Sequence, residues 1–158
     1  MADNLNEFDV GHLQQVDEEI FCGDRIEAIP KNVLAVLDLS AGHEVLFEAM
    51  AFMAARGLAY GWMPRIDGPP VPSAEWINAA VLTVEGWRQA GWPVLLYCAN
   101  HESRAALVDI AYHMKVNGWS RDKAFTYTKG KRHETDPNSY FMAGLWNYET
   151  WLEQQLRD

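Results

Sequence analysis

Cysteine is scarce in this chain, with only Cys22 and Cys98 among 158 residues. Two thiols cannot build the disulfide framework of a small secreted scaffold, so a reducing cytoplasm is the expected setting and either sulfur is free for chemistry. Positive charge is also short. Thirteen Lys and Arg stand against 22 Asp and Glu, a formal net charge of −9, which excludes a generic nucleic-acid binder working through a broad basic surface. No run of about 18 apolar residues occurs, so no membrane span is expected. The opening stretch MADNLNEFDVGHLQQVDEE lacks the basic start and apolar stretch of a secretory leader. There is no internal repeat, low-complexity tract or linker, and no His, Cys and carboxylate spacing suggests a metal site. A single domain over 1–158 is expected, with 1–18 read as an acidic, less ordered N-terminal segment.

What is present is enough apolar material for a core, 49% of the chain. The acidity is concentrated early. Residues 1–50 hold 11 acidic and 2 basic side chains, and residues 51–158 hold 11 of each. Later chemistry is therefore not swamped by local negative charge. Arg121, Lys123, Lys129, Lys131 and Arg132 cluster in sequence. A solvated helix end explains them, and a rim attracting anionic substrate is the alternative.

Apolar patterning alternates between strand and helix. Strands are expected over 19–23, 32–39, 58–62 and 94–97. A helix over 44–56 stops at Gly57, and another runs from a Ser73 cap to about residue 90 with Trp76, Ala80, Val84 and Trp87 on one face. A helix over 104–117 stops at Gly118, and Ser120 caps a shorter one. The last begins near Pro137, with Tyr140, Phe141, Leu145, Tyr148 and Leu152 on one face. Trp76, Trp87, Trp146 and Trp151 fall on helices and are read as core. Strands separated by helices predict an α/β fold with a central, mostly parallel sheet of four to five strands flanked by helices. Any site is then expected in loops at the carboxyl ends of the strands.

The stretch VLLYCANHESRAALVD carries the chemistry. A buried strand runs into Cys98, five residues follow, and Arg104 opens a helix, a Cys-x5-Arg spacing. Such a loop can turn its backbone N–H groups inward as a nest, and the helix adds its positive end. That cradle suits a tetrahedral oxyanion and also stabilises a thiolate. An ordinary cysteine, with a pKa of about 8.5, is only about 3% thiolate at pH 7, so a nucleophile needs such help. Arg104 offers a fixed fork of donors to two phosphate oxygens. Attack on a phosphate ester also needs a proton for the leaving oxygen. Asp67, in the loop RIDGPPVP after another strand, is the candidate. Trp62, just before that loop, is read as packing beneath it, and Cys22 as a buried strand residue.

Taken together, IFCGDR, VLAVLDLS, RIDGPPVP, CANHESR, DIAYHMKVNGWSRDKAF and KGKRHETDPNSYFMAGLWNYE resemble the cysteine-dependent protein tyrosine phosphatase superfamily, in its small dual-specificity phosphatase-like branch. The resemblance spans about residues 18–155. It implies Cys98 as nucleophile, Arg104 as phosphate clamp and Asp67 as general acid. It further implies that Ala99, Asn100, His101, Glu102 and Ser103 line the phosphate cradle. The implied reaction hydrolyses phosphate monoesters, phosphotyrosine first and phosphoserine or phosphothreonine besides, through a phosphocysteine, with no cofactor. The implied partner is a phosphorylated protein or a small phosphate monoester.

Three positions depart from the family pattern. Tyr97 replaces the usual His before the cysteine, His101 a usual Gly, and Ala105 the hydroxyl residue that helps sulfur leave in the second step. Those departures keep alive a catalytically impaired, phosphate-binding pseudophosphatase. A rhodanese-like sulfurtransferase is the other alternative, since that family also runs a strand into an anion loop and an arginine.

Overall fold

The structure is a computed structural model that describes residues 14–17, 20–23, 29–41, 47–98 and 103–158. Five strands form one sheet: β1 (Gln14–Asp17), β2 (Ile20–Gly23), β3 (Ala35–Asp38), β4 (Ala59–Trp62) and β5 (Val94–Tyr97). Their spatial order is β1-β2-β5-β3-β4. β1 runs antiparallel to β2, and the other neighbours are parallel. The expected α/β class and mostly parallel sheet are borne out.

β5 sits at the centre of the sheet, and its sequence suits that place. VLLY is apolar at every position, and a strand covered on both faces needs that. Its Leu95 pairs with Phe21 on one side and Val36 on the other. Alternation then sorts side chains between faces. Cys22, Leu37, Leu96 and Cys98 point to one layer with Ala80, Val84, Ala105 and Val108. Phe21, Val36, Leu95 and Tyr97 point to the other, with Ile29, Val33 and Met53. Each fully buried aliphatic side chain contributes about 1.5–3 kcal/mol.

Five helices flank the sheet among the described residues: α1 (Phe47–Ala55), α2 (Ala74–Gln89), α3 (Arg104–Asn117), α4 (Arg121–Lys131) and α5 (Ser139–Arg157). Their starts follow local chemistry. Ser73 Oγ accepts from Trp76 N at 3.1 Å, Ser120 Oγ from Lys123 N at 3.2 Å, and Asn138 Oδ1 from Phe141 N at 3.0 Å. Gly118 ends α3 at φ +67°, a left-handed conformation that a side chain resists. Ile77, Val81, Leu107, Ile110, Phe141, Leu145 and Tyr148 bind α2, α3 and α5 into one helical layer.

Two helical readings need correction. Tyr140 is 41% exposed and Trp146 is 55% exposed. The core face of α5 is the narrower Phe141, Gly144, Leu145 and Tyr148. Trp146 instead receives the Arg121 guanidinium 4.9 Å from its ring centroid. β1 falls within the stretch set aside as an N-terminal segment. The expected starts at residues 19 and 44 lie outside the described residues.

Candidate active site

Cys98 follows β5 directly and is fully buried, at 0% exposure. Arg104 is the first residue of α3 and is also buried. Strand and helix thus hold the two ends of the Cys-x5-Arg loop. Ala99, Asn100, His101 and Glu102 lie outside the described residues. Ser103 precedes α3 in the capping position but makes no side-chain cap bond. Its Oγ turns away and accepts from the backbone N of Asn138 at 3.0 Å.

The acid loop reaches the same place from the edge strand β4. β4 continues its ladder past Trp62, with Met63 N donating to Asp38 O at 2.9 Å and Arg65 N to Leu39 O at 3.2 Å. Arg104 Nη1 then donates to the carbonyl of Arg65 at 2.9 Å. That bond fixes the plane of the guanidinium and joins the two loops. Asp67 is half-buried, and its Oδ1 accepts from Asn138 Nδ2 at 2.7 Å. Arg65 braces the loop internally. Its Nη2 donates to Pro70 O at 2.9 Å, and its guanidinium lies 4.8 Å from the Trp76 ring centroid. Burial pulls its pKa below the usual arginine value.

Trp62 does not pack beneath the loop. It is exposed, and its Nε1 donates to Ser40 O at 2.9 Å, which ties β4 to the end of β3. There Asp38 is buried and accepts from Ser40 N at 2.9 Å and from the Tyr60 hydroxyl. Burial and that carboxylate push the Tyr60 phenol upward.

Behind the sulfur lies a buried polar group. Cys22 is buried as expected, and burial pushes its thiol well up. The Asp109 charge adds to the shift, Arg132 opposes it, and Cys98 adds to it. Asp109 and Arg132 are both buried. His113 Nε2 lies 3.5 Å from Asp109 Oδ1, one helical turn away. Its Nδ1 is 3.2 Å from Asn117 Nδ2, and its ring stacks on Trp119 with centroids 5.8 Å apart. An Asp and a His at i and i+4 on an otherwise apolar helix were the available sequence signal for this pair.

The basic cluster is mostly occupied elsewhere. Arg121 bonds Asp122 and covers Trp146, Lys123 lies over Trp119, and Lys131 over Tyr127. Lys129 Nζ donates to Thr135 O at 2.9 Å. Among the described residues no group of three or more His, Cys, Asp or Glu is arranged to hold a metal ion.

Arg104 thus meets the acid loop at the Arg65 carbonyl, and Asn138 links Asp67 to Ser103, while Cys98 stands at the other end of the loop that Ser103 and Arg104 close. Sequence reasoning missed the working parts played by Arg65 and Asn138. Pro137-Asn138-Ser139 signals a helix start, but nothing in it signals contact with Asp67, 71 positions earlier.

Residues 20–151 match the family model described as the dual specificity phosphatase catalytic domain. Dual specificity protein phosphatase 1 of Mus musculus is 26% identical over 143 residues, covering 90% of this chain and 39% of that protein. Dual specificity phosphatase 28 of Homo sapiens is 35% identical over 101 residues, covering 64% of this chain and 57% of that protein. The chain thus spans about two-fifths to three-fifths of the length of these relatives. The crystal structure of human DUSP28 superposes with a TM-score of 0.76 at 26% identity, covering 90% of this chain and 96% of that one. By this match over most of its length, on a buried cysteine and arginine joined to an aspartate loop, the chain belongs to the dual specificity phosphatase catalytic-domain family.

Proposed function

We propose that the protein is a cysteine-dependent phosphatase that hydrolyses phosphate monoesters, phosphotyrosine foremost and phosphoserine or phosphothreonine besides. The observation that carries this reading is the junction of Arg104, Arg65, Asp67 and Asn138. It supports the reading by tying the loop that carries Asp67 to the arginine of the Cys-x5-Arg spacing through the Arg65 carbonyl. In the first step the Cys98 thiolate bonds to phosphorus and the ester P–O bond breaks. The Asp67 carboxyl proton passes to the leaving oxygen. In the second step water bonds to phosphorus, its proton goes to the Asp67 carboxylate, and the S–P bond breaks to regenerate the thiolate. The Arg104 guanidinium and the loop amides hold the phosphoryl oxygens throughout.

Ala105 is buried and has no hydroxyl to help sulfur leave. Ser103 is the nearest substitute in sequence. Its Oγ serves as acceptor to Asn138 N, which leaves its own proton for another partner. We therefore expect a fast first turnover followed by slower breakdown of the phosphoenzyme. A thiolate nucleophile works only when reduced, which suits the cytoplasm. Among the described residues no helix is long and apolar enough to cross a membrane. Nothing in the Asp67 contacts favours sulfur transfer, which needs no proton donor for a leaving alkoxide.

Rapid mixing with para-nitrophenyl phosphate tests the reading. The intact protein should show a burst of nitrophenol, and Cys98→Ser should lose at least about a thousandfold of the rate. Thiocyanate from thiosulfate and cyanide, without phosphate release, would sink it.

A further inference from the structure

We propose that Asn138 is a positioning residue that selects which oxygen of Asp67 carries the catalytic proton, an inference that rests on the phosphatase reading above. Three bonds from this one residue support it. Its side-chain Oδ1 caps α5 by accepting from Phe141 N at 3.0 Å. Its Nδ2 donates to Asp67 Oδ1 at 2.7 Å. Its backbone N donates to Ser103 Oγ at 3.0 Å. Helix, acid and phosphate loop therefore meet at a single residue.

The cap settles the orientation of the amide. A backbone N–H can only donate, so the amide atom facing Phe141 N must be the oxygen. The NH2 end then faces Asp67. An amide NH2 cannot accept a hydrogen bond. A proton on Asp67 Oδ1 would meet another donor, so the acid form carries its proton on Oδ2. The carboxyl is held in one plane with one oxygen committed and the other available to the leaving group. Such fixing of a proton donor removes the search over rotamers that an untethered side chain would need.

A second contact keeps the same helix against the other end of the acid loop. A Cβ at Gly144 would lie 2.6 Å from Pro72 Cγ and 3.2 Å from Pro72 O, so only glycine allows this approach. Pro72 lies five residues after Asp67 in the loop that leads to α2. α5 thus touches the loop at Asp67 and again at Pro72.

The test uses Asn138→Ser, which keeps a capping oxygen and the backbone N–H but is too short to reach Asp67. Asn138→Thr likewise keeps a capping oxygen, is too short to reach Asp67, and serves if the serine variant fails to fold. Values of kcat/KM are measured with para-nitrophenyl phosphate, whose leaving group needs little protonation, and with phenyl phosphate, whose leaving group needs more. Either variant should lose less than about threefold on the first ester and about tenfold or more on the second, within the range of general-acid effects. Combining Asn138→Ser with Asp67→Asn should cost nothing beyond Asp67→Asn alone on phenyl phosphate. Equal losses on the two esters, or additive losses in the double variant, would overturn the proposal while leaving the phosphatase reading intact. Absence of any Cys98-dependent release from the unaltered protein would overturn both.

Discussion

Cys22 lies on β2 and Cys98 just past the end of the neighbouring parallel strand β5, and both face one layer of the core, yet their surroundings differ. Cys98 ends its strand at a loop. Cys22 is enclosed, and burial with the nearby Asp109 charge holds its thiol well up. The sign of the stability effect follows. The folded protein keeps this proton while the unfolded chain releases it at about pH 8.5. The contribution is therefore complete below that pH and is lost as pH rises toward the folded value. Urea midpoints should fall between pH 7 and pH 9.5, and Cys22→Ala should flatten that fall; an unchanged slope would contradict the assignment. At this scale Cys98, Arg104 and Asp67 could be singled out as candidates because the chemistry proposed for them is tied to local motifs. Asn138 and Arg65 were not. Arg65 contributes a carbonyl to Arg104 as well as its guanidinium to Pro70, and backbone atoms leave no mark in residue identity.

Helix α5 shows how far an element can be read and where reading stops. Its start was visible in Pro137-Asn138, and Phe141, Leu145 and Tyr148 gave its buried stripe. Tyr140 and Trp146 were misread because helical spacing locates the centre of a stripe but not its edges. At those edges a large aromatic ring can pack under a cation as readily as in a core. β1 escaped notice because QQVD has no apolar run, and its pairing with β2 supplies what its side chains do not announce. Gly144 has a sharper requirement. In Gly144→Ala the new methyl meets the Pro72 ring and carbonyl, and helix propensity returns only about 1 kcal/mol against an overpacking cost of about 1–3 kcal/mol. Chemical denaturation should show a loss of up to about 2 kcal/mol. Equal or greater stability would mean that α5 and the acid loop shift apart without cost.

Across the whole molecule, the proposed nucleophile hangs from the most enclosed strand. β5 has a parallel neighbour on each side and helices over both faces. Local opening concentrates at edges and termini, and a central strand opens only with the whole fold. On heating, loss of para-nitrophenyl phosphate hydrolysis should therefore coincide with loss of helical circular dichroism. Inactivation well below the unfolding midpoint would show that the sulfur is displaced independently. Strand order itself was not legible. Four short apolar runs declare a parallel sheet, but nothing in any one of them names its neighbours.

The nineteen residues of α5 act as a lever on chemistry that begins at the end of the central strand. Loosen them, and the sulfur would still take up a phosphoryl group. The protein would then sort its esters by their own acidity, completing only the half of its task that asks for no borrowed proton.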